Sequence, residues 1–254
     1  MPGPFSLRNR CAVVTGGSRG IGGAVSLLLA EAGADVCIGY RSRAADAEST
    51  AAACRTFGVR ATTHAADLAT ATGAESLMAH AVAEFGGLDH CIHSAGIWPV
   101  EEAAVADLGD ARWARTMREN VDAMFFVARA AAHAMREGGR LVFVASTAGQ
   151  RGEAMHADYA ASKGAMIAFV KSMAVEVAPR GITVNAVAPG WVDTEMCAEP
   201  FADGGRERIA KGIPVGRIAT PRDIAFPAVC LCFEGSRHVT GEIVNVNGGS
   251  VLCG

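Results

Sequence analysis

The chain lacks most signals that would tie it to nucleic acid, to a membrane or to a metal. Its 254 residues hold 23 basic and 26 acidic side chains, a formal net charge of −3, so no basic field invites nucleic acid and no acidic tract marks a disordered tail. No apolar run approaches the ~18 residues of a membrane span, and residues 1–10 contain no continuous apolar segment of the signal-peptide kind; the expected compartment is the cytoplasm. Cysteines occur at 11, 37, 54, 91, 197, 230, 232 and 253, without C-x-x-C or paired His–Cys spacing. Several sit inside apolar strand-like runs, which predicts reduced, buried thiols and no metal site. Cys230-Leu231-Cys232 is too close for a zinc pair and is expected inside a helix. There is no composition break, linker or internal repeat.

What the chain does have is alternation. Half of its residues are hydrophobic, and a length near 250 suits one α/β domain. Apolar runs at 11–15, 35–40, 60–65, 88–93, 139–146, 181–188 and 242–246 are separated by Ala-rich helical stretches. This predicts one doubly wound parallel α/β sheet of about seven strands over residues 1–254, because right-handed crossovers lay helices on both faces. A ligand crevice is then expected at the carboxyl ends of the strands, where Thr15, Tyr40, Asp67, His93, Ser146 and Pro189 all fall. The stretch at about 190–214 holds Trp191, Pro200, Gly204, Gly205 and Gly212 and fits no regular element. A loop that long in a compact domain is usually functional, so it is expected to be a mobile lid with a short helix near Arg206–Lys211.

Two motifs carry chemistry. Gly16-Gly17-Ser18-Arg19-Gly20-Ile21-Gly22 follows the first apolar run and precedes an Ala/Leu-rich helix. Such a turn either brings a pyrophosphate onto the helix-start amides or simply connects strand to helix. Tyr159 and Lys163 stand four residues apart, on one helix face. An ammonium beside a phenol favours its anion and draws a pKa of ~10 toward the working range. His93 and His156 flank the crevice without the spacing of a metal site, and Trp98, Met155 and Trp191 are candidates for an apolar substrate wall.

Together these residues resemble the short-chain dehydrogenase/reductase family over nearly the whole chain. The matching positions run in family order: residues 15–22, Asp67-Leu68, His93-Ser94-Ala95-Gly96, Asn120, Ser146, Tyr159 with Lys163, Asn185, Pro189-Gly190 with Thr194, Thr240-Gly241 and residues 246–249. Within the family the likeness is greatest to the 3-oxoacyl-carrier-protein reductase type, through residues 18–20 and 180–185. The resemblance implies a Rossmann-type fold and a catalytic set of Asn120, Ser146, Tyr159 and Lys163. In that set Tyr159 is general acid or base, Ser146 bonds the substrate oxygen, Lys163 holds the nicotinamide ribose and lowers the Tyr159 pKa, and Asn120 anchors a proton-passing water. It implies cofactor contacts from Gly16, Ser18, Arg19, Gly20, Ile21, Gly22, Tyr40, Arg41, Ser42, Asp67, Leu68, Ser94, Ala95, Gly96, Tyr159, Lys163, Pro189, Gly190, Val192 and Thr194. Ser94 replaces the family's usual Asn, which should weaken local support.

The end of the second apolar run, residues 38–43, has no Asp or Glu to accept a ribose 2′-hydroxyl but offers Arg41 and Ser42, with Arg19 from the turn. That predicts NADPH/NADP over NADH. The implied reaction is reduction of a ketone, 3-oxoacyl thioester-like or another small carbonyl, to a secondary alcohol. The alternatives are an alcohol, sugar or steroid dehydrogenase running oxidatively, or a dinucleotide-binding regulator without turnover. For a carrier-protein- or CoA-linked substrate, Arg180, Arg136 and Arg140 are the expected contacts at the cleft mouth, although Glu137 stands where a second family arginine is expected. The helices near 105–135 and 157–178 carry Met124, Phe125, Phe126, Met166, Phe169 and Met173 over more than one face, which calls for cover on a second side; the resemblance implies that this cover comes from pairing across subunits in a homotetramer.

Overall fold

The central apolar runs become strands whose two faces both find cover, and the runs at either edge are only partly covered. In the computed structural model, which describes residues 5–253, the strands are β1 (Cys11–Thr15), β2 (Asp35–Tyr40), β3 (Ala61–Ala65), β4 (Leu88–His93), β5 (Met135–Val144), β6 (Thr183–Pro189) and β7 (Ile243–Val246). They form one parallel sheet in the order β3-β2-β1-β4-β5-β6-β7. Period-two alternation sorts the side chains into two cores. Val13 and Phe143 pack with Leu77 and Met166, while Val14, Ile38 and Val142 pack on the other face with Leu29 and Ile224. Helices α1 (Gly20–Glu31), α2 (Ala44–Arg55) and α9 (Pro221–Cys230) cover that second face; α3 (Ala71–Phe85), α5 (Ala123–Ala134) and α7 (Ala157–Val177) cover the first. Three shorter helices, α4 (Asp110–Met117), α6 (Thr147–Arg151) and α8 (Gly205–Lys211), complete the chain.

The sheet order reverses between β2 and β4 on either side of β1, which opens a crevice at their carboxyl ends. The irregular stretch contains a 3₁₀ turn, Glu195–Cys197, and then α8, close to the expected short helix. No helix among the described residues is long and apolar enough to cross a membrane.

Several expectations are corrected. β5 starts at Met135, four residues early, because the chain pairs Leu88 with Met135 across a register shift before regular pairing resumes at His90 and Arg140. Cys230 ends α9 and Cys232 lies beyond it, so the pair is not helix interior; Pro227 near the helix end shortens the run. Cysteines 11, 37, 54, 91 and 232 are buried, but Cys197 and Cys230 are half-buried and Cys253 is exposed. The apolar excess on α5 and α7 is mostly used within the subunit. Met124, Met166 and Met173 belong to the sheet core and Phe126 and Phe169 pack against it, leaving Phe125 facing out at 41% exposure.

Candidate active site

The first turn and helix build an anion cradle. A Cβ on Gly22 would meet the Gly16 carbonyl oxygen at 2.2 Å, so only glycine lets α1 start this close to the strand end. The start of α1 has no side-chain cap and no acid in its first turn, which leaves helix-start amides and the positive end of the dipole directed at the crevice. The opposite lip is held by Thr15, whose Oγ1 accepts from the Ser94 and Ala95 amides, both at 3.2 Å, and pairs with His93 Nδ1 at 2.9 Å. This lip is fixed through main chain, so the missing Asn side chain at position 94 does not undo it. His93 is buried and its pKa is driven down to about 3 by desolvation, which keeps it neutral.

The crevice, about 710 Å³, is lined by Gly16, Ser18, Arg19, Gly20, Ile21, Gly22, Tyr40, Arg41, Ser42, Asp67, Leu68, Ser94, Ala95, Gly96 and Thr194. A second cavity of about 490 Å³ shares Ile21, Ser94, Gly96 and Thr194 with it and adds Ser146, Tyr159, Lys163, Pro189, Gly190 and Val192. The expected set is therefore gathered around two adjoining spaces, apart from Asn120, which lies behind the walls and is buried. A π-type turn at Arg118–Asp122 aims the Asn120 amide inward. It accepts from the Ile97 amide at 2.8 Å and donates to the Ile97 carbonyl at 2.9 Å and to Ser162 Oγ at 3.0 Å.

Tyr159 and Lys163 share a face of α7 that turns toward the end of β5. Lys163 Nζ donates to the Val144 carbonyl at 2.8 Å and lies 5.8 Å from the Tyr159 ring centroid; burial lowers its pKa to about 8. Tyr159 departs from expectation. Burial raises its pKa, the Ser146 hydroxyl bonded to it opposes that, and the nearby Glu153 carboxylate adds to it. Desolvation dominates, so the phenol is held as the protonated acid.

Other corrections concern charge. The lack of an acid at the carboxyl end of β2 does not leave the crevice free of carboxylates. Arg41 pairs with Glu119, Arg19 pairs with Glu195, and Arg43 also reaches Glu195 at 3.2 Å. Asp67 accepts from the Ala69 amide at 3.1 Å, starting a turn, and pairs with Arg118 at 2.8 Å. Arg180, Arg136 and Arg140 do not stand at the cleft mouth of this subunit. They lie toward the amino ends of β5 and β6, opposite Ser146, where Arg180 donates to the Ala132 and Met135 carbonyls, both at 2.5 Å, and Arg136 pairs with Asp89 at 3.2 Å. Met155 is 40% exposed and takes no part in lining either cavity, whereas Trp98 and Trp191 do line the second. No group of three or more potential metal ligands occurs among the described residues. Ile97, Glu153, Met196, Cys197 and Ile209, which sequence reasoning passed over, also line the second cavity.

This fold and constellation have known relatives. A family model described as enoyl-(acyl carrier protein) reductase matches residues 16–250. A 3-oxoacyl-(acyl-carrier-protein) reductase of Vibrio cholerae is 37% identical over 98% of this chain and 100% of its own. Versicolorin reductase 1 of Aspergillus parasiticus is 36% identical over 96% and 97%. The solved structure of a blue fluorescent protein from a metagenomic library in complex with NADPH superposes with a TM-score of 0.90 at 32% identity, over 97% of this chain and 100% of that one. The chain belongs to the short-chain dehydrogenase/reductase family and is an NAD(P)-dependent oxidoreductase.

Proposed function

We propose that the protein is an NADPH-dependent reductase of a small ketone, yielding a secondary alcohol, in the cytoplasm. The observation that carries this reading is that Ser146, Tyr159 and Lys163 line one cavity that opens onto the glycine-turn crevice. The uncapped start of α1, with Arg19, Arg41 and Arg43 nearby, fits a dinucleotide bearing a 2′-phosphate. In this reading Gly16–Gly22 holds the pyrophosphate; Arg19, Arg41 and Ser42 the 2′-phosphate; Asp67 and Leu68 the adenine; and Ser94–Gly96, Lys163, Pro189, Gly190, Val192 and Thr194 the nicotinamide end. NADPH supplies a hydride to the carbonyl carbon.

The chain's own residues do the rest. Tyr159 donates its phenolic proton to the carbonyl oxygen, and Ser146 donates a hydrogen bond to the same oxygen as charge develops there. Lys163, with a pKa drawn to about 8, holds or passes a proton near neutral pH. Asn120, fixed on Ile97 and Ser162, anchors the water through which that proton is exchanged. The segment at about 190–214 closes over the substrate. Five buried free thiols suit a reducing compartment. The test is NADPH oxidation against a panel of acetoacetyl thioesters, diketones, cyclic ketones and quinones, repeated with NADH. Turnover of at least one ketone with clear preference for NADPH is expected; equal use of both cofactors, or no turnover across the panel, would contradict the assignment.

A further inference from the structure

The second cavity contains a carboxylate that the chemistry above does not use. Glu153 lies between Ser146 and Tyr159 in sequence, lines the same cavity and stands close enough to raise the pKa of both Tyr159 and Cys197. It is half-buried; burial raises its pKa, and nearby His156 and Arg151, with the Trp98 side chain within hydrogen-bonding reach, partly offset that, without an ion pair inside 4.0 Å among the described residues. A carboxylate offers about four acceptor sites, so one indole N–H leaves most of them open to a donor in the cavity.

Its surroundings restrict what that donor can be. The Trp98 and Trp191 rings meet edge to face at 6.0 Å and 83°, Trp98 stacks on His156 at 4.7 Å, and Trp191 packs on Phe201 at 5.8 Å. Two perpendicular indoles, each braced from behind, form a rigid corner suited to a flat ring system and poorly suited to a flexible acyl chain. Arg151, Arg208 and Lys163 line the same cavity, so a cationic amine would also meet three basic side chains. A neutral hydroxyl meets no such opposition. The arginines expected to receive a carrier protein are engaged toward the amino ends of β5 and β6, away from this cavity.

We infer that the substrate is a free, fused-ring aromatic ketone bearing a hydroxyl group, with the ring in the Trp98–Trp191 corner and the hydroxyl donating to Glu153. Glu153 is thus a specificity-determining residue. This rests on the reductase reading proposed above and goes beyond it. A hydrogen bond to a charged acceptor is worth about 10- to 100-fold in kcat/KM.

The experiment measures kcat/KM for 1-tetralone and for its monohydroxylated isomers with NADPH, in the wild-type protein and in Glu153→Gln and Glu153→Ala, with acetoacetyl-CoA as reference. At least one hydroxylated isomer is expected to exceed 1-tetralone by about 10- to 100-fold in the wild type. That ratio should fall toward unity in Glu153→Ala and take an intermediate value in Glu153→Gln. Because the readout is a ratio between substrates, a general loss of rate does not mimic it. Should the alanine variant fail to fold, the wild-type isomer series and the glutamine variant carry the same comparison. Equal rates for hydroxylated and plain ketones, an unchanged ratio in the variants, or acetoacetyl-CoA as the preferred substrate would overturn the inference while leaving the reductase reading in place. Absence of ketone reduction throughout would overturn both.

Discussion

Two buried histidines give the protein a stability that depends on pH. Desolvation lowers the pKa of His93 to about 3 and that of His90 to about 4, while an unfolded chain restores both to ~6.5. Both folded values lie below the unfolded one, so the stabilisation is complete above pH 6.5 and is lost as pH falls through 6.5 toward 4 and 3. At about 1.4 kcal/mol per pH unit and per group, the protein should be about 2–3 kcal/mol less stable at pH 5.5 than at pH 7.5. Urea unfolding at the two values checks this, with His93→Gln roughly halving the slope; a flat profile would show that the rings are not held neutral. Backbone strain offers a second test. Gly152 has φ 78° and ψ 168°, a region open essentially to glycine alone, in the turn leading to Tyr159. Gly152→Ala should cost about 1–3 kcal/mol, seen as a drop in Tm. At this scale sequence motifs located Ser146, Tyr159 and Lys163, since each sits at fixed spacing on one element. They could not locate Glu153, which the fold brings beside an indole 55 residues away, nor foresee that burial would raise the phenol's pKa.

Between elements, the proposed preference for NADPH rests on the arginines and carboxylates at the crevice mouth. Arg41 is held by Glu119 from the turn before α5, and Glu195 from the segment covering the substrate cavity takes Arg19 and Arg43. These exposed pairs are individually weak, and a bound 2′-phosphate competes for the same guanidinium groups. Arg41→Ala should raise the KM for NADPH about 10-fold, within the range of a lost charge-assisted hydrogen bond, with little change for NADH. Glu195→Gln should lower the KM for NADPH and leave NADH unaffected. Steady-state kinetics with both cofactors checks the pair; parallel shifts for NADPH and NADH would remove these residues from phosphate recognition. The strands were legible because apolar runs of five or six residues bounded by glycine and charge leave little choice of period: β1, β2 and β4 match their sequence limits. The salt links were not, because Arg41 and Glu119 are 78 residues apart and only the fold joins them.

For the whole molecule, the exposed apolar side chains Val105, Trp113, Phe125 and Val175 lie on or beside the helices covering one face of the sheet. They support the proposed tetramer through a smaller patch than the sequence suggested, since most of the candidate residues face the subunit's own core. Light scattering at micromolar concentration should give four times the 26.1 kDa chain mass; a monomer would contradict it. The sheet order, the glycine turn and the Tyr159–Lys163 face together make one claim, that a buried, protonated phenol is the acid of a ketone reduction. Its most direct test is Tyr159→Phe, with turnover and NADPH binding measured on the same preparation. Turnover should fall ~10²-fold or more for loss of a general acid, while NADPH still binds with an affinity close to that of the wild type, because the cradle at Gly16–Gly22 is untouched. Near-normal turnover by the phenylalanine variant would contradict the account.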